Sequence, residues 1–217
     1  MLQALIFDLD GTLTHTDSLH FSIWQSYLKE YGLDIDLRFY QEHISGRHNP
    51  DFLKQLFQEL TLEEIQQISD NKEARFRQLA QDQLKPLSGL EKLLEWLISK
   101  ELLSAIVTNA PRQNAEFMLN ALKLNQFWNT VVISEELPMA KPHPFPYQEA
   151  LRRLNIAPNS AIVFEDSPSG IRSAVAADIF TVGITTTHNE DVLLSNGASL
   201  VISNFNDPQL KTIGVLT

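Results

Sequence analysis

The 217-residue chain contains no cysteine. That excludes disulfides, thiolate catalysis and cysteine-ligated zinc or iron–sulfur sites, and it is compatible with a reducing compartment. No apolar run approaches the roughly 18–20 residues needed to span a bilayer. The opening stretch MLQALIFDLD lacks a basic segment and turns acidic early, unlike a signal peptide. The expectation is a cytoplasmic protein that does not engage membranes. Positive charge is scarce, with 17 Lys and Arg against 27 Asp and Glu and a net charge of −10. Such a chain has no basic footprint for a nucleic-acid backbone and no attraction for anionic lipid. If it handles anionic substrates, it must concentrate its few cations locally or recruit a metal ion. Internal repeats and low-complexity segments are also missing.

A hydrophobic fraction of 43% and a charged fraction of 20% describe an ordinary globular protein. Its length suits one core domain plus a smaller second one. Short runs rich in Ile and Val occur at 4–7 (ALIF), 103–107 (LSAIV), 130–134 (TVVIS), 161–164 (AIVF), 180–184 (FTVGI) and 199–203 (SLVIS). Most are too short for helices and do not alternate strictly, the pattern of strands buried on both faces of a parallel sheet. Amphipathic stretches at 89–100, 112–124, 144–156 and 169–178 lie between them. This alternation predicts an α/β fold with a doubly wound, mainly parallel sheet. One region breaks the rhythm: residues 17–82 carry helical patterns throughout and no buried strand. The expected organisation is a catalytic core of residues 1–16 and 83–217, with a helical cap of residues 17–82 inserted after the first strand. Ligands of open α/β sheets bind at such strand ends.

The strand ends share a chemical theme. The first runs into Asp8 and Asp10, the second into Thr108 and Asn109, and the fourth into Glu165 and Asp166; Lys141 follows the third. In a parallel sheet all these positions fall along one edge. Each motif alone has a bland explanation. Asp-x-Asp-Gly makes a turn, Thr-Asn caps a helix, and a lysine beside a proline sits on a surface loop. Ser167 and Pro168 after the acidic pair suit an N-cap and first helical position. Their joint occurrence at successive strand ends is what packing does not explain. Four clustered carboxylates raise one another's pKa, a conflict that a hard divalent cation such as Mg²⁺ relieves. A lysine and neutral donors suit the oxygens of a transferring phosphoryl group. A carboxylate can act as nucleophile through an acyl phosphate, with a second carboxyl moving protons.

FDLDGTL, VTNA, AKPHP and FEDSPSGI resemble the four motifs of the haloacid dehalogenase superfamily, and the inserted helices fall where its class I cap lies. The likeness runs the length of the chain and is nearest to the β-phosphoglucomutase-like phosphatases. It implies Asp8 as nucleophile and Asp10 as general acid/base, with Thr108 and Lys141 holding the phosphoryl group. It further implies Mg²⁺ bound by Asp8, the Asp10 carbonyl oxygen and Asp166, with or without Glu165. The acid at position 10 points away from the dehalogenases and toward phosphoryl transfer.

Substrate choice is expected of the cap. His20 and Trp24 stand four apart and share a helix face; the pair suits core packing, whereas the resemblance brings His20 to the general acid. Gly46-Arg47 offers a flexible basic turn resembling a substrate-contacting cap loop. Lys72 and Arg75 either add positive charge to the cleft or form a solvated face with Glu73 and Arg77. Asn109, His20, Arg47 and Lys72 are therefore the candidate substrate contacts. Two features depart from the family pattern: His15 stands where a carboxylate is common near the hinge, and ISGRHNP lacks the Arg-x-x-Ser arrangement of the sugar mutases. The expected function is hydrolysis of a small phosphorylated metabolite, such as a sugar phosphate, by a monomer or small homo-oligomer. The alternatives are a phosphosugar mutase using the same intermediate and a phospho-accepting signalling module.

Overall fold

The computed structural model describes residues 2–217. Six strands form one sheet: β1 (Ala4–Phe7), β2 (Leu103–Thr108), β3 (Thr130–Ile133), β4 (Ala161–Glu165), β5 (Phe180–Ile184) and β6 (Leu200–Ile202). Every adjacent pair is parallel, and the order is β3-β2-β1-β4-β5-β6. The third and sixth expected strands are shorter than their apolar runs: β3 stops where Ser134 opens a 3₁₀ turn, and β6 keeps only the residues between Ser199 and Ser203.

Both faces of the sheet are buried, which is why its strands do not alternate with polar residues. Leu5 and Phe7 of β1 join one core cluster, together with Leu90, Leu93 and Leu97 of α5 (Leu90–Ser99) and Met118 of α6 (Arg112–Ala121). Ala4 and Ile6 face the other, against Tyr147, Ala150 and Leu151 of α7 (Phe145–Leu154) and Ala174 of α8 (Pro168–Ala176). A short helix α9 (Glu190–Ser195), which no sequence pattern announced, covers Gly183 of β5 through Leu193. The sequence order reverses direction between β1 and β4, so the crevice at that point opens beyond the carboxyl ends of both strands.

The inserted block consists of α1 (Asp17–Glu30), α2 (Leu37–His43), α3 (Asn49–Leu56) and α4 (Leu62–Ala80). It has its own core, built on Trp24, Leu28, Tyr40, Phe52 and Ile65. Helix α4 starts from a capping box in which Thr61 and Glu64 each accept a hydrogen bond from the other's end of the turn. The chain leaves and re-enters the core side by side: Thr14 pairs with Pro86 in an antiparallel bridge, and the Leu87 amide donates to the Leu13 carbonyl at 2.7 Å. His15 is exposed at this crossing and makes no side-chain hydrogen bond to a described residue. No helix among the described residues is long and apolar enough to cross a membrane.

Beneath the strand ends, Phe164 of β4 stacks on Phe7 at a centroid separation of 5.1 Å and meets Phe205 edge-on at 5.3 Å. All three rings are fully buried. Phe164→Ala is expected to cost about 3–5 kcal/mol, a fall in Tm of roughly 6–20 °C for a chain of this size. Thermal unfolding measures it; a shift below about 2 °C would show that the aromatic cluster is not a principal support of the sheet.

Candidate active site

Lys141 lies at the centre of the strand-end cluster. It is not a surface lysine: it is 5% exposed, and its three ammonium hydrogens have three acceptors. Nζ donates to Asp8 Oδ1 at 2.7 Å, to Glu165 Oε1 at 2.6 Å and to the Val107 carbonyl at 2.7 Å. These contacts tie together the ends of β1, β2 and β4. Burial alone would lower the lysine pKa, but Asp8 and Glu165 raise it above its ordinary value, so it stays charged.

Glu165 serves this arrangement as an anchor. Its Oε1 also accepts from the Tyr147 hydroxyl at 2.7 Å, and its Oε2 accepts from the Asp166 amide and the Ser167 hydroxyl, each at 3.2 Å. A Cβ at Gly170 would lie 1.8 Å from Oε1, so α8 approaches this carboxylate only because the residue is glycine. The helix-entry reading of this segment is equally realised, since Ser167 caps α8 by accepting from the Gly170 amide at 3.0 Å. Capping and chemistry coexist in one motif.

Asp8 carries an open oxygen, whereas both oxygens of Asp166 accept, Oδ1 from the Thr12 hydroxyl at 3.4 Å. Asp8 Oδ1 is occupied by Lys141, and no described residue donates to Oδ2. Asp166 Oδ2 accepts from Thr187 at 2.6 Å. Gly11, at φ +77°, passes so close that a Cβ would lie 2.0 Å from that same oxygen. Burial, then neighbouring carboxylates, push both acids up: Asp8 to about 7, despite the opposing pull of Lys141, and Asp166 well above the usual range. One oxygen each from Asp8, Glu165 and Asp166 lie within 4.8 Å of one another. Three buried oxygen donors facing a single lysine fit a hard divalent cation. The Asp10 carboxylate is outside this group, which leaves only its carbonyl for such a role.

Asp10 instead faces the cap. His20 Nε2 stands 3.1 Å from its Oδ1, and the His20 ring stacks on Phe76 at 4.2 Å. Lys72 Nζ lies 2.7 Å from His20 Nδ1 and donates to Glu73 Oε1 at 2.7 Å. A charged lysine has no lone pair, so Nδ1 accepts and Nε2 carries the proton donated to Asp10. Burial would raise the Asp10 pKa, but the hydrogen bond from His20, with that of Thr16 and the charge of Lys72, holds it below the ordinary carboxylate value. Trp24 belongs to the cap core, edge-on to Phe52 at 4.9 Å, with the Lys72 ammonium 5.4 Å from its ring centroid.

The solvated-face reading of α4 fails for Lys72 and Glu73, which are 2% and 5% exposed. Arg75 is exposed and does not line the cleft. The helix turns Lys72 inward because Phe76, one turn on, is fully buried on the same face. Thr108 is buried, and its hydroxyl accepts from the Ala110 amide at 2.9 Å. Asn109 reaches across the cleft, its Nδ2 3.4 Å from the Gly46 carbonyl of the cap loop and from the Lys141 carbonyl. Arg47, half-buried at the mouth, donates to the His43 carbonyl at 3.1 Å and to Gln55 at 2.9 Å. All the candidate residues except Glu165 line one cavity of about 760 Å³.

Three contributors carried no sequence signal: Tyr147, Thr187 and Glu73. Thr187 touches Asp166, and its carbonyl accepts from Gln41 of the cap at 3.1 Å. Glu73 accepts from Asn49 at 2.5 Å and from Asn114 of α6. Each acts through a partner distant in sequence, so no local motif marks it.

A family model described as haloacid dehalogenase-like hydrolase matches residues 5–184. The validoxylamine A 7'-phosphate phosphatase of Streptomyces hygroscopicus subsp. limoneus is 27% identical over 214 residues, covering 99% of each chain. The phosphorylated carbohydrates phosphatase of Thermotoga maritima is 30% identical over 212 residues, 93% of this chain and 94% of its own. Among solved structures, β-phosphoglucomutase from Clostridium difficile superposes with a TM-score of 0.86 at 25% identity, over 99% of this chain and 96% of that one.

The raised acids give a pH signature. Folded Asp8 holds its proton up to about pH 7, whereas an unfolded aspartate loses it near pH 4. Between those values the metal-free folded state binds more protons than the unfolded chain, so this group's contribution to stability falls as pH rises. A divalent cation must displace that proton. The increase in Tm on adding Mg²⁺ should therefore grow from pH 5 to pH 7.5. A pH-independent increase would contradict the carboxylate assignment.

Proposed function

We propose that this chain, which belongs to the haloacid dehalogenase-like hydrolase family, is a Mg²⁺-dependent phosphatase of small phosphorylated metabolites, sugar phosphates foremost. The observation that carries the reading is the pairing of two unlike aspartates two residues apart. Asp8 is held by Lys141 at the strand ends, and Asp10 is held by His20 of the cap. Their surroundings differ in kind, a buried lysine at the strand ends for one and a cap histidine for the other, which suits them to different chemical roles. The carbohydrate phosphatases among its relatives support the same reading.

In this mechanism Asp8 Oδ2 attacks phosphorus in line with the ester bond, and that P–O bond breaks. The leaving oxygen takes a proton from Asp10, whose carboxyl takes that proton up from solvent as the substrate's negative charge enters the cleft. Lys141 and the Thr108 hydroxyl hold the phosphoryl oxygens. Asp10, again a carboxylate, then takes a proton from water as the water oxygen attacks the aspartyl phosphate, and the P–O bond to Asp8 breaks to release phosphate. Mg²⁺ bound by Asp8, Asp166 and the Asp10 carbonyl, with Glu165 beside them, would neutralise the charge concentrated on the phosphoryl oxygens. His20 fixes the direction in which the Asp10 carboxyl points. The cap of residues 17–82 excludes water from the first half-reaction and contributes Arg47 and Lys72 to the wall around the substrate.

A phosphosugar mutase would share the intermediate and differ only in the acceptor. Incubation with sugar monophosphates, with and without a bisphosphate primer, should release free phosphate rather than isomerised sugar phosphate. Isomerisation without phosphate release would replace this reading with the mutase. Asp8→Asn should lower phosphate release by at least about a thousandfold while leaving the unfolding transition cooperative; an active variant would sink the mechanism.

A further inference from the structure

Away from the strand ends the cavity wall is electronegative. Asp51, Asp70, Glu73, Glu135 and Glu136 line it against only Arg47 and Lys72. Lys72 is poorly placed to receive an anion: it is 2% exposed, and two of its three donors are taken by Glu73 Oε1 and His20 Nδ1, each 2.7 Å from its ammonium. Arg47 sits at the mouth with its guanidinium bound to the His43 carbonyl and Gln55. The nearby Arg112 is clamped by Glu136 and Glu116. Lys141, the remaining cation, is committed to Asp8 and Glu165.

Glu73 is the built element of this wall. It is 5% exposed and accepts from three donors on three elements: Asn49 of α3, Lys72 of α4 and Asn114 of α6. The first two belong to the cap and the third to the core, so this carboxylate closes the seam between them. Three donors on a buried carboxylate keep it ionised, and its pKa is correspondingly held below the ordinary value. An ionised Glu73 cancels the charge of Lys72 where a distal anionic group of the substrate would otherwise find a partner.

Resting on the phosphatase reading above, we propose that Glu73 sets the substrate class. By neutralising Lys72 at the closed seam, it leaves the inner wall without a free cation. The enzyme therefore takes esters with one phosphate on an uncharged, hydroxyl-rich remainder and rejects those bearing a second anionic group. Specificity of this kind is built from repulsion as much as from attraction. It also disfavours the bisphosphate that a mutase cycle must hold.

The test uses matched ligands that differ only by a primary alcohol against a carboxylate: sorbitol 6-phosphate with 6-phosphogluconate, and glycerol 3-phosphate with 3-phosphoglycerate. Each competes against p-nitrophenyl phosphate hydrolysis by the full chain with Mg²⁺. The alcohol member should inhibit about tenfold more tightly in each pair. Glu73→Gln frees the Lys72 charge and should narrow that ratio at least about fivefold by improving the carboxylate member. Loss of a merely structural contact would weaken both members alike. Asp70 is exposed and its side chain accepts from Gln66 on the same helix, so Asp70→Asn should narrow the ratio about twofold and keeps the test decisive if Glu73→Gln fails to fold. Equal or tighter binding of the carboxylate members to the native protein, or a ratio that neither variant changes, overturns the proposal while p-nitrophenyl phosphate is still hydrolysed. Absence of any p-nitrophenyl phosphate hydrolysis overturns the phosphatase reading itself.

Discussion

The Lys141 ammonium, buried between Asp8 and Glu165, is the contact on which the site depends. Burying it is tolerable only because each of its three donors meets an acceptor; an incomplete set would leave several kcal/mol of desolvation uncompensated. That requirement fixes the ends of β1, β2 and β4 relative to one another, since the acceptors come from all three. Tyr147 and the cap of α8 extend the constraint by holding Glu165 from the other side. One lysine does not balance three buried carboxylates. Asp8 and Asp166 therefore keep protons that a divalent cation can displace, which is the physical reason that this pocket suits such an ion.

A second chain of contacts joins the core to the cap. Asp10, His20, Lys72 and Glu73 run in sequence across the cleft, and Asn114 returns the line to the core. The same closed geometry that orients the Asp10 carboxyl therefore neutralises Lys72 and sets the charge of the cavity wall. The chain crosses between core and cap only beside the Thr14–Pro86 bridge. Movement of the cap about that crossing would separate Asp10 from His20 and Glu73 from Asn114 together. On the proposed mechanism, proton transfer and substrate selection are thus tied to one event.

Much of this was legible in the residues themselves. Short Ile- and Val-rich runs that do not alternate identify strands buried on both faces, and the reversal of order at β1 and β4 explains why their carboxylates meet. FDLDGTL and FEDSPSGI were readable because the chemistry lies in contiguous residues. Glu73 was not, because its burial follows from where α6 packs, 41 residues away along the chain. Thr187 escaped notice for the same reason, its partner Asp166 lying 21 residues back. Helical spacing put Lys72 and Phe76 on one face but did not say that the face turns inward. The short α9 lacks the length for a periodic signal. His15, conspicuous as a sequence departure, is exposed at the hinge and enters none of these contacts.

The central claim is that phosphate passes through Asp8 on its way to water. Acid quench during steady-state hydrolysis of a sugar phosphate, followed by mass spectrometry of the peptide containing Asp8, tests it most directly. The account predicts a phosphoryl adduct on Asp8 that disappears as free phosphate accumulates. Phosphate release with no adduct under conditions that preserve acyl phosphates, or an adduct on another residue, would contradict it.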